Sequence, residues 1–113
     1  MTAHKDICIK FEIDGRRFEA VGFLNKGEGS VLGNTMIERV PDAIGEEDWT
    51  FLSERTSKFP AELLRYYLAT ARRGPGLRRN VSCFDWDGHG WFQSWGSLDG
   101  QWFGRSLVLR RCT

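Results

Sequence analysis

Histidine is nearly missing from this chain of 113 residues, which holds His4 and His89 and no others, and cysteine occurs three times, at Cys8, Cys83 and Cys112. Three thiols with no C-x-x-C spacing exclude a disulfide framework, and together with two distant histidines they match no zinc-ligand pattern. Cys8 and Cys83 fall in alternating segments and read as small buried hydrophobes; Cys112, one residue from the end, reads as exposed. No apolar run approaches the roughly 20 residues that cross a bilayer. Residues Met1 to Asp6 are polar and lack the apolar core of a signal peptide, so a frayed start and a cytoplasmic protein away from membranes are expected.

Phosphate-binding loops are missing too. Gly27-Glu28-Gly29 and Gly33 give an incomplete Gly-x-Gly pattern with no Gly-Lys-Ser/Thr behind it, so no nucleotide or other cofactor is expected. A nucleophile and base set would have to join His89 to Cys83 or Ser94, yet His89 stands between glycines at a turn tip, a poor mount for a base. Asp87 and Asp99 precede glycines in turns, where aspartate is favoured for backbone reasons, which leaves Asp85 without a carboxylate partner. Glu46-Glu47-Asp48 reads as the acidic first turn of a helix rather than a metal site. A small enzyme ranks last among the functions considered.

What is present suits one globular domain over residues 1–113: 41% of residues are hydrophobic, 27% charged and 13% aromatic. Surface scaling gives about 6,400 Å² folded against about 19,000 Å² extended, enough burial for one core without staples. Ile7, Ile9, Phe11 and Ile13 alternate with polar residues as one face of a strand; Asp14-Gly15 is a hairpin turn, and Phe18 to Leu24 is its second arm. Residues Asn25 to Ser30 read as a loop. A helix is predicted from Asn34 or Thr35 to about Arg39, ended by Pro41, and another from Glu46 with Trp49 and Leu52 inward. Pro60 opens a helical turn, and a strand follows from about Tyr66, although Leu64 to Thr70 also fits a helix. Arg72 to Arg79, broken by Gly74-Pro75-Gly76, is a loop. Val81–Trp86, Trp91–Trp95 and Trp102–Arg110 read as a closing meander with turns at Asp87-Gly88-His89-Gly90 and Leu98-Asp99-Gly100-Gln101. The fold class is α+β: an antiparallel sheet of N-terminal hairpin and C-terminal meander, with two or three helices on one face.

Charge and aromatics are unevenly spread. Residues 1–57 carry a net −4 and residues 58–113 a net +5, and every basic residue after Lys58 is arginine. Seven aromatic residues fall between Phe84 and Phe103, too many for strand alternation to turn all of them inward. Aromatics beside arginines suit a protein interface, and Arg72, Arg73, Arg78, Arg79, Trp91 and Trp95 are the candidate partner-binding residues of a non-enzymatic interaction module. Single-stranded nucleic acid is the alternative partner, with rings stacking on bases and arginines on phosphates, but a pI near 7.7 lacks the usual basic footprint.

The order of pieces, Gly33 to Val40, Glu46 to Arg55, Phe59-Pro60-Ala61-Glu62-Leu63 and Phe84-Asp85-Trp86-Asp87-Gly88 to Arg110, resembles the layout of a group of small bacterial proteins of unknown function and spans about two thirds of the chain. The resemblance implies a bacterial or phage-associated cytoplasmic protein and brings no activity, cofactor or site residue.

Overall fold

Period-2 alternation at the start of the chain builds a hairpin. In the computed structural model, which describes residues 3–74, 76 and 79–112, strand β1 is Cys8–Ile13 and β2 is Arg16–Val21, paired antiparallel with Phe11 opposite Phe18. The turn residues Asp14 and Gly15 take positive φ angles of 48° and 87°, which aspartate tolerates and glycine adopts without strain. The chain continues through β3 (Ser30–Leu32), α1 (Gly33–Arg39), α2 (Glu46–Ser53), β4 (Tyr67–Arg73), β5 (Asn80–Trp86), β6 (Trp91–Ser97), β7 (Gln101–Phe103) and β8 (Ser106–Arg111), with 3-10 turns at His4–Asp6, Thr56–Lys58 and Ala61–Arg65.

Six strands form one mixed, mainly antiparallel sheet in the order β1-β2-β8-β4-β5-β6, and β3 pairs with β7 in a separate ribbon. The fold is therefore α+β, with both helix boundaries near Arg39 and Glu46 where the sequence puts them. The stretch from Leu64 resolves into the end of a 3-10 turn and then β4.

The closing strands depart from a simple meander. β5 and β6 form the expected hairpin, but β7 leaves the sheet to pair with β3, and β8 returns to the centre between β2 and β4, parallel to β4. The cause is Trp102. Its ring is buried over the sheet, and its indole Nε1–H donates to the Ser97 carbonyl at 2.8 Å. Gly96 makes the space, since a Cβ there would lie 2.3 Å from that ring. The same pairing turns Ser30, the end of the predicted loop, into the first residue of β3.

Both faces of the sheet are covered. α2 and the turns around Phe59 and Leu63 pack on Phe18, Ala20, Leu68, Phe84, Leu107 and Leu109, but the helices do not share one face as the sequence predicts. Across the sheet, α1 and the β3–β7 ribbon pack on Val21, Ala69, Val81, Cys83 and Val108. Pro41 ends α1, and the chain then passes through the sheet: Ile44 N–H donates to the Leu109 carbonyl at 2.9 Å and its carbonyl accepts from Ala71 N–H at 2.8 Å. That passage fills the gap where β4 and β8 splay after three parallel pairs.

Two expectations are corrected. Residues 4–6, expected to fray, form a docked turn: His4 Nδ1 accepts from the Phe23 and Leu24 amides, both at 3.1 Å, while Nε2 lies 3.0 Å from the Ser106 carbonyl. Arg72 and Arg73, expected in a loop, end β4 instead. There the ladder to β5 slips, and the buried Thr70 hydroxyl bridges the slip, donating to the Ser82 carbonyl and accepting from Arg72 N–H. The accessible surface is 6473 Å², close to the scaling value.

Candidate interaction surface

Strand β6 holds most of the exposed aromatic surface. Among the described residues it pairs with β5 alone, so its far side is a sheet edge. Its ladder parity is fixed at both ends, by Asp87 N–H donating to the Gly90 carbonyl at 3.2 Å and Leu98 N–H donating to the Arg79 carbonyl at 2.7 Å. Antiparallel alternation then sends the main-chain groups of Phe92, Ser94 and Gly96 to β5 and turns those of Trp91, Gln93 and Trp95 outward. The side chains alternate in step. Trp91, Gln93 and Trp95 lie on the α2 face, and Phe92 and Ser94 on the α1 face.

Sequence-predicted site residues meet different fates. Trp91 is half-buried, its ring edge-on to Phe59 at 5.1 Å and to Trp86 at 5.7 Å, so it belongs to the core under α2. Trp95 is 41% exposed. Arg72 lies between two rings, 3.9 Å from Trp49 and 5.4 Å from Trp95, and its Nε donates to the Glu46 carboxylate. Arg79 pairs with Asp99 at 3.0 Å across the neighbouring turn. Arg73 is exposed at the end of β4, and Arg78 lies outside the described residues. The structure thus brings Arg72 and Trp95 together and sets Arg79 apart from them.

Sequence reasoning left out Phe92, 44% exposed, and Phe103, 55% exposed. Strand parity carries the signal for Phe92, which must face opposite to the Trp91 and Trp95 pair. No such signal exists for Phe103, because its exposure follows from β7 leaving the sheet.

Two clefts flank the edge strand. On the α2 face a groove of about 510 Å³ is lined by Phe59, Ala61, Leu64, Trp86, His89 and Trp91. On the α1 face a cleft of about 450 Å³ lies between Tyr67, Asp85, Gln101, Trp102, Phe103 and Arg105. At the second, Tyr67 Oη and Ser94 Oγ are 2.7 Å apart. Burial, with the Cys83 thiol beside it, pushes the Tyr67 phenol well above its ordinary value, and burial likewise pushes Cys83 up to about 12. Neutral, buried groups of this kind make a hydrogen-bonded floor rather than an activated nucleophile.

The remaining candidates for chemistry are held in turns. The Asp87 carboxylate accepts from the His89 and Gly90 amides at 2.8 and 2.9 Å, bonds that hold its pKa below the ordinary carboxylate value. Cys8, expected to be buried, is exposed: β1 is the opposite edge strand and Cys8 lies across from the inward Ile7 and Ile9, its thiol 3.1 Å from Glu19. No helix among the described residues is long and apolar enough to cross a membrane. No protein-family model, no curated protein and no solved structure matches this chain.

Proposed function

We propose that this chain is a non-enzymatic protein-interaction module that takes up an extended strand of a protein along β6. One observation carries the reading: a seven-residue edge strand, Trp91–Ser97, with no charged residue and no proline, that exposes Phe92 and Trp95. Open edges are normally blunted by charge, proline or a cover, because unpaired N–H and C=O groups template another strand. The opposite edge follows that rule, since β1 exposes Lys10 and Glu12. Main-chain groups of Gln93 and Trp95 would supply affinity, and side-chain contacts at the two flanking clefts would supply selectivity.

The arginines favour a protein over single-stranded nucleic acid. Arg72 is met by Glu46, Arg79 by Asp99, Arg110 by Glu19 and Arg111 by Asp48, so much of their charge is answered within the fold. The test is affinity capture from cell extract with the parent chain and with Gln93→Pro and Trp95→Ala. Gln93 N–H points away from β5, so proline there spares the internal ladder while blocking an added strand. Loss of the same captured proteins in both variants is expected; capture undiminished by either one would place the contact elsewhere.

A further inference from the structure

Resting on that reading of β6, we infer that the added strand is β6 of a second copy, paired antiparallel about a two-fold axis at Gln93. The parity already described makes this register available. Trp91, Gln93 and Trp95 all present outward main-chain groups, so a two-fold at Gln93 sets Gln93 against itself, Trp91 against Trp95 of the second copy, and Trp95 against Trp91 of the second copy. All three are hydrogen-bonded pairs, about six main-chain bonds in total.

Side chains on both faces fit this register. On the α1 face it opposes Phe92 to Ser94 of the second copy, large against small, in closely spaced pairs. On the α2 face it delivers the exposed Trp95 of one copy beside Trp91 of the other, at the mouth of the groove formed by Phe59, Leu64, Trp86 and His89. Knob and hole thus sit four residues apart on the same strand, the separation that an isologous contact about Gln93 requires. Charge is no obstacle at the axis, because β6 has none. A foreign strand would have to supply this pattern of a bulky aromatic and a small residue; the chain supplies it itself.

Sedimentation over a concentration series tests the proposal. The parent chain is expected to pass from the 13.0 kDa monomer to twice that mass as concentration rises. Gln93→Pro and Gln93→Lys stay monomeric at every concentration and, at dilutions where the parent is also monomeric, keep its circular dichroism and unfolding midpoint. Because position 93 opposes itself, mixing Gln93→Lys with Gln93→Glu restores a dimer holding one of each, an outcome that no other surface would give. A parent chain that stays monomeric at the highest concentration overturns the self-pairing, as does a dimer that both single variants leave intact. If the parent is monomeric yet Gln93→Pro still removes captured proteins, self-pairing fails while the strand-acceptor reading stands; if neither variant changes capture, both fail.

Discussion

Trp91 and Trp95 share one face of one strand and contribute differently to stability. Trp91 is wedged between Phe59 and Trp86, so Trp91→Ala should lower unfolding stability by about 3 kcal/mol or more. Trp95 lies beside Arg72 and is 41% exposed, so Trp95→Ala should cost under about 1 kcal/mol. Urea unfolding of the two variants measures the difference, and equal losses would mean that Trp95 is core. At Ser82 the sign reverses: its hydroxyl is buried with no hydrogen-bond partner among the described residues, so Ser82→Ala should leave stability unchanged or raise it by about 1 kcal/mol. Thiol titration makes a further check. Cys83 is fully buried and its thiolate is suppressed, so in the native protein it should not react with a disulfide reagent until the chain unfolds, whereas the exposed Cys8 should.

The elements divide by how local their causes are. The first hairpin, the end of α1 at Pro41 and the start of α2 at Glu46 were all legible, because each is set by alternation, proline sterics or helix-dipole charge within a few residues. β3, β7 and the central place of β8 were not, because they depend on where Trp102 finds burial, a contact made across the sheet. Nor was the docked N-terminal turn, which is held by His4 meeting Phe23, Leu24 and Ser106 far along the chain. Two glycines record these long-range packings. A Cβ at Gly22 would stand 1.8 Å from the His4 carbonyl oxygen, and one at Gly96 would enter the Trp102 ring. Gly22→Ala should therefore free the N-terminal turn and Gly96→Ala should displace β7, each with a drop in melting temperature; in the second case the Trp102 indole N–H signal should also lose the shift caused by its bond to Ser97.

Across the whole molecule, the charge asymmetry of the sequence does not survive folding. Its acidic first half and arginine-rich second half meet in pairs such as Glu19–Arg110, Glu46–Arg72 and Asp48–Arg111, so the two halves largely neutralise each other. That is why the candidate site was only half legible: arginine content marks the second half of the chain, while the pairing that occupies those arginines needs three-dimensional neighbours. One consequence is a pH dependence. Glu19 is buried, and the Cys8 thiol first and the Arg110 guanidinium next hold its pKa below the ordinary 4.5. Its ionised form therefore stabilises the fold above that value, and this contribution is lost as pH falls through the lowered pKa. Glu19→Gln should flatten the acid limb of a melting-temperature profile between about pH 5 and pH 3, and an unchanged limb would assign that limb to other carboxylates.

Residue-resolved amide exchange reads out whether β6 is an open edge ready to take a strand. In dilute solution Phe92, Ser94 and Gly96 should be protected through their bonds to β5, while Gln93 and Trp95 exchange at nearly open-chain rates; protection of Gln93 and Trp95 should then grow with protein concentration. Protection of all five amides at high dilution, or exposure of Gln93 and Trp95 that no partner and no concentration reduces, would contradict it.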